Sequence, residues 1–501
     1  MKCTKALLFS VAVFISVLAV SRPANSQQPV TNLPVNQATS YKGEEFLLIG
    51  SANRGAGEPV IAISPKDPNI IIVGAMCNLH YVDGEKFAAS GQMVSQDTIS
   101  VYRNTPDSSI SEYAISKDRG KTWRYLEDPF REYSRMNTTA DTFVGTGKDG
   151  TLFIGAMSFF PLNASPLMIA NEKDESKGQL YGYIDIASSS DDGKTWSTPV
   201  QVMGQSTPLE EYAPGVKPVF KGSTPYDRPF LITDQSTGTI YVPGDGKGGD
   251  PVHMEFFFRV SDDNGKTWGL VYSYDSPNYP ESGFASRPAA ANGALGVAYI
   301  ASSAPASTGA KCPCLVFGAS RDEGKTFDYH VVQSNFPPMR GFFGFGNPAL
   351  AADPSHPGRF AVMSLTAGNV EMQVCVTDDY GKTWKGPVKA GSVPGAIIVR
   401  PDIGYSPKGD LAVMWRSFKP DETYSLWSAV SHDGGFTFSK PLQVSQWPSP
   451  ARQSIEYRGN NWDGDDLSSI AVDNDFAHMV WADGRAGFLG AWYARVPLSS
   501  Y

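Results

Sequence analysis

Seven segments of the chain open alike, with an arginine, an amide or a carboxylate set just ahead of an apolar run. They are GEPVIAIS (from Gly57), ADTFVGTG (Ala140), DRPFLITD (Asp227), SRPAAANG (Ser286), GNPALAAD (Gly346), VRPDIGYS (Val399) and DDLSSIAVD (Asp465). In five of them the reactive side chain precedes a proline, giving Glu58, Arg228, Arg287, Asn347 and Arg400. Proline biases the residue before it toward extended backbone, the start of a strand. The other two openings offer Asp141 and either Asp465 or Asp466. Guanidinium groups hold a carboxylate in forked hydrogen bonds, so converging arginines suit an anionic ligand. A carboxylic acid kept protonated by its surroundings can donate a proton to a leaving oxygen. Set opposite a nucleophile or base, it cleaves a glycosidic bond.

These residues are scattered over some 400 positions, so only a repeated fold can gather them. The repeat is explicit: SKDRGKTW (from Ser116), SSDDGKTW (Ser189), SDDNGKTW (Ser261), SRDEGKTF (Ser320), TDDYGKTW (Thr377) and SHDGGFTF (Ser431). Each box follows a β-branched or aromatic segment and precedes a short one, which makes it a hairpin turn. Its Asp accepts backbone N–H groups, and its Gly supplies a conformation other residues resist. The terminal aromatic, Trp196 for example, is expected to fold back and seat the turn against the strand edges. Asp118, Asp191, Asp263, Asp322, Asp379 and Asp433 are accordingly turn residues, not catalytic ones.

Opening, second strand, third strand and box together describe a four-stranded antiparallel sheet. Such units leave edges and faces bare unless arranged around an axis, so an all-β fold, a β-propeller, follows. With seven openings and six boxes, seven blades are favoured and six are the alternative. The last unit has room for three strands, and Glu44 to Gly50 would supply the fourth and close the ring. The openings then form the innermost strands, and their leading side chains ring one mouth of the central channel.

The chain begins with Lys2 and Lys5, an apolar run from Ala6 to Val20, and Ala24-Asn25-Ser26. This reads as a cleavable export signal over 1–26. A disordered leader over 27–43 follows, then one propeller domain over 44–501. No later segment is long enough to span a membrane as a helix. Loss of Lys2, Lys5 and Arg22 with the signal moves the formal charge from −9 to −12, which disfavours nucleic acid as a partner. Cys77, Cys312, Cys314 and Cys375 then remain, in a compartment that permits disulfides; their pairing is open. Cys312-Pro313-Cys314 is a weak zinc signal without a companion His, and no cofactor or metal is expected.

The six boxes are similar to the Asp-box, or bacterial neuraminidase, repeat of sialidases, and nearly all of the mature chain fits that pattern. The resemblance implies a β-propeller and an exo-acting hydrolase of terminal acidic sugars, with an acidic glycan as partner. It implies Arg228, Arg287 and Arg400 as a carboxylate-binding triad, Asp141 as acid/base, and Tyr457 with Glu456 as the nucleophilic pair. Glu58-Pro59 stands where the family has Arg-Ile-Pro in the first blade, which makes Glu58 a further candidate acid. Arg340 in PPMRGFFGFG, Asn347 and Asp466 complete the candidate binding residues. Two other classes compete: a propeller that binds glycan or protein without turnover, and a lyase of uronic-acid polymers using His80 or His253 as base. For each arginine the competing role is an ion pair between blades, as with Asp227 beside Arg228.

Overall fold

The computed structural model describes residues 43–51, 55–78, 111–126, 129–130, 139–160, 181–204, 207–217, 226–246, 255–281, 285–336, 348–421, 423–450, 467–487 and 489–501. Strands dominate them, and the helical turns they contain are three-residue 3₁₀ turns such as Leu209–Glu211.

Seven antiparallel sheets form the seven blades of a β-propeller. The innermost strands are Gly55–Ile63, Thr139–Thr146, Ile232–Thr233, Ala289–Ala291, Ala349–Ala352, Ile397–Tyr405 and Ser468–Val472. Residues from all seven line a channel of about 280 Å³, with walls largely aliphatic, including Ile61, Val144, Leu231, Ala351, Ile403 and Ala471. The core is divided by seam. Each of seven clusters of buried apolar side chains combines two neighbouring blades, and the seven seams close a ring. A sheet apolar on both faces can be buried only this way, between two like it.

Closure uses both ends of the described chain. Gly490–Pro497, the third strand of blade seven, pairs antiparallel with Glu45–Ile49, its outermost strand. Arg485 fastens the join, 2.6 Å from Glu45 and 2.6 Å from Asp483, with all three side chains nearly buried. Blade seven therefore needs no turn between its third and fourth strands, which is why the chain has one box fewer than blades.

The six boxes share one hydrogen-bond pattern. In the second, the Ser189 hydroxyl donates to Asp191 Oδ1 (2.8 Å) and accepts the Gly193 N–H (2.9 Å). The Thr195 N–H donates to Oδ1 (2.9 Å) and its hydroxyl to Oδ2 (2.7 Å). The same set recurs around Asp118, Asp263, Asp322, Asp379 and Asp433.

The box aromatic does more than seat its own hairpin, as the Trp123 indole does by donating to the Gly120 carbonyl at 3.2 Å. Trp123 meets Tyr493 (centroids 4.9 Å apart), Phe327 meets Phe258 (6.3 Å) and Trp384 meets Phe317 (5.3 Å). In each case the partner lies on the third strand of the preceding blade, so the box is a staple across the seam. A single hairpin offers an indole too little surface to bury, whereas the adjacent sheet offers a whole face.

Cys312 and Cys314 form a disulfide, while Cys77 and Cys375 are buried and form none. Among the described residues no group of three or more His, Cys, Asp or Glu side chains could hold a metal ion, and no helix is long and apolar enough to cross a membrane. The signal and leader segments lie outside the described residues.

Candidate functional site

The inner strands begin at the mouth with a shared irregularity. Between Gly57 and Val60, Ala140 and Phe143, and Val399 and Asp402, the inner strand advances three residues while its partner advances two. One extra residue is thus inserted, a β-bulge. In blade three, Asp227 to Ile232 opposes Asp245 to Tyr241, again with one residue in excess.

The bulges place Glu58 (φ 49°), Asp141 (42°), Arg228 (55°) and Arg400 (50°) in the left-handed region. The extended backbone expected before proline therefore fails at Glu58, Arg228 and Arg400, because pairing with the second strand on both sides of the bulge overrides the local preference. A non-glycine residue pays about 1–2 kcal/mol for this conformation. Such strain persists only where surrounding structure enforces it, and it gathers at functional sites.

Arg228, Arg287 and Arg400 line one cavity at this mouth, with Phe230, Ser286, Asp402, Ser468 and Ser469. Arg400 is fully buried and Arg228 is half-buried. Arg287 reaches from blade four past blade five to Asp402 of blade six, with Nη2 3.1 Å from each carboxylate oxygen. Its guanidinium lies 5.5 Å from the centre of the Phe230 ring of blade three. Asp402 Oδ2 also accepts the Ile470 N–H of blade seven at 3.0 Å. The pair links blades four and six at the hub, and Arg287 borders both the cavity and the channel. An ion pair of this kind was the competing role for the arginines, and Arg287 fills it with Asp402 as partner.

Asp141, from blade two, meets blade three here. Its Oδ2 accepts the Arg228 backbone N–H at 3.0 Å, and Asp227 Oδ1 accepts the same N–H at 3.0 Å. Desolvation pushes the Asp141 carboxyl well above the usual carboxylate range. The charge of Asp227 and a hydrogen bond to it push the same way, against the Arg228 amide and guanidinium. Two carboxylates so close cannot both ionise cheaply, and one holds the proton. The Asp227 backbone is itself fixed by two hydrogen bonds to Asp245, of 2.6 and 2.7 Å. Burial likewise raises Asp245 well above its ordinary range, and pushes Asp275, which accepts the Phe256 N–H and the Ser273 hydroxyl, up to about 6.

Of the sequence candidates, then, the three arginines share a cavity, Asp141 is docked on the backbone of one of them, and Glu58 is buried at the matching bulge of blade one. Tyr457, Glu456, Arg340, Asn347, Asp465, Asp466, His80 and His253 lie outside the described residues. Sequence reading passed over Asp402 and Asp245, and took Asp227 only as an ion-pair partner for Arg228. A signal for Asp402 was present, since IIVRPDIGY carries one acid two residues after Arg400 in an inner strand whose other residues are mostly apolar.

No protein-family model matches the chain, and no curated protein matches it. Among solved structures, a protein of unknown function from Dyadobacter fermentans is similar at 13% identity, over 90% of this chain and 97% of that one, with a TM-score of 0.47. Trypanosoma rangeli sialidase in complex with sialic acid is similar at 15%, over 79% and 60%, TM-score 0.45. Penicillium chrysogenum alpha-L-arabinanase complexed with arabinobiose is similar at 12%, over 91% and 99%, TM-score 0.43. At this distance none of them transfers a residue role to this chain.

Proposed function

We propose that this chain is an exported glycoside hydrolase that removes terminal acidic sugars, of the sialic-acid class, from glycans. One observation carries the reading: Asp141, whose carboxyl burial pushes well above the usual carboxylate range, accepts the backbone N–H of an arginine that lines a mouth cavity together with two more. In this scheme Arg228 and Arg400 clasp the sugar carboxylate, and Asp141 gives its proton to the leaving glycosidic oxygen as the bond to the anomeric carbon breaks. Tyr457, assisted by Glu456, takes the nucleophile's place at that carbon, and a water later releases the sugar and returns a proton to Asp141. Arg340, Asn347 and Asp466 are proposed to bind the rest of the glycan, and Glu58 remains a further candidate acid.

The test is a panel of fluorogenic glycosides, an α-sialoside, a uronoside and a neutral arabinofuranoside, assayed with the full chain. Release from the sialoside, lost in Asp141→Asn, is the expected result. Release from the neutral furanoside alone would keep a hydrolase and remove the acidic sugar. Binding without turnover would leave a glycan-binding propeller. Ultraviolet-absorbing unsaturated product from a uronic-acid polymer would make it a lyase.

A further inference from the structure

Asp141 has a second carboxylate beside it. Asp141 and Asp227 come from neighbouring blades and are separated by 86 positions, yet one N–H serves both carboxylates at 3.0 Å each. A shared donor that close to both fixes the two acid groups side by side. Nothing about the fold requires this, because either carboxylate alone would satisfy the amide. The arrangement is also rigid. Arg228, which supplies the amide, and Asp141 are both held at left-handed φ, and Asp227 is bridged on both sides of its backbone to Asp245. Asp141 and Asp227 are both only partly buried as residues.

We infer that Asp227 is a positioning residue of the site: its carboxylate, fixed beside that of Asp141 on the Arg228 amide, accepts the Asp141 hydroxyl and so keeps there the proton that a leaving oxygen takes. The charged groups around the pair are the Arg228 guanidinium, which favours ionisation, and Asp245, whose own carboxyl feels Asp227, Asp275 and Glu281. When Asp141 passes its proton on, both carboxylates become anionic around one amide and one guanidinium. That repulsion is relieved only when Asp141 is reprotonated, which favours the return of a proton from the incoming water. No oxidant or metal enters the step.

This inference rests on the hydrolase reading for its consequence but not for its geometry, and the experiment separates them. The carboxyl carbons of ¹³Cγ-aspartate-labelled protein are titrated by NMR, with the Asp141 signal assigned through Asp141→Asn. In the native chain the Asp141 signal is expected to titrate well above the ordinary aspartate range of about 4. In Asp227→Asn, which keeps the side chain's size and its acceptor for the amide, the midpoint falls by on the order of 1 pH unit or more. The alkaline limb of kcat/KM against pH moves down by the same interval, with KM nearly unchanged.

A residue that merely stabilises the seam would lower the melting temperature and leave both midpoints in place, and that outcome overturns the inference. An ordinary Asp141 titration in the native chain overturns it without any variant. Coupled titration in a protein that hydrolyses none of the panel keeps the pair and sinks the hydrolase reading.

Discussion

The two faces of the propeller use the same residue, aspartate, in opposite ways. On the box face each carboxylate is ringed by donors. Thr267 holds Asp263 down to about 2 through its hydroxyl and its amide. Asp433 sits as low, at about 2, because Ser431 and Thr437 overcome the burial that pulls it upward. On the mouth face burial is the first cause, and with donors shared or few and acids among the neighbours it pushes Asp141 and Asp245 up. The lesson is one of donor supply. A turn closed on itself gives every carboxylate its own hydroxyl and amide, while a rim assembled from different blades leaves two carboxylates to one amide. The first arrangement stabilises a repeat; the second raises the proton affinity of its carboxyls.

The largest effect expected from breaking this contrast is on turnover. Asp141→Asn removes the proposed proton donor and should lower kcat/KM by roughly 10²–10⁴-fold. Asn tolerates left-handed backbone, so the melting temperature should hold. The counterpart change on the box face, Asp263→Asn, should do the reverse, lowering the melting temperature and sparing kcat/KM. Equal loss of activity in the two variants would erase the distinction between the faces.

Next in size is the staple. Gly120 has φ 82°, and a Cβ there would collide with the Tyr493 phenol of blade seven. Gly120→Ala combines an unfavourable left-handed residue with overpacking at the seam that closes the ring, and should cost about 2–5 kcal/mol. Chemical denaturation reads this directly. A loss below about 1 kcal/mol would mean that the seam yields, and that the box is a turn rather than a staple.

The smallest effect is on stability against pH, where the two faces carry opposite signs. The folded-state value of Asp275 is raised to about 6, so its contribution is present below about 4 and is lost as pH climbs from there to about 6, roughly 2–3 kcal/mol in all. The values of Asp263 and Asp433 are depressed, so theirs is present above about 4 and fades as pH falls toward 2. Melting temperatures measured between pH 2 and 8 should therefore decline on both sides. Asp275→Asn is expected to flatten the upper decline and Asp263→Asn to soften the lower one. An unchanged upper decline in Asp275→Asn would show that another mouth carboxylate carries it.

Legibility in the sequence followed the range of each interaction. A box is decided within eight residues, so its hydrogen bonds could be anticipated from its letters, and so could the closing strand, because a three-stranded last unit leaves a vacancy that one free segment fills. The seam contact of Trp123 could not be, since Tyr493 is 370 positions away. The bulges were hidden for another reason. Proline argued for extended backbone at Glu58, Arg228 and Arg400, and only the second strand's register could overrule it.

By itself, then, the sequence determined the repeat and the identity of the side chains that open the sheets, and favoured seven sheets over six, because short-range hydrogen bonding and strand patterning depend on adjacent letters. Which of those side chains meet was decided only in three dimensions. Arg287 turned to Asp402 across the hub, and Asp141 to Asp227 across a seam, because ring closure sets the distances between blades and no stretch of chain encodes them.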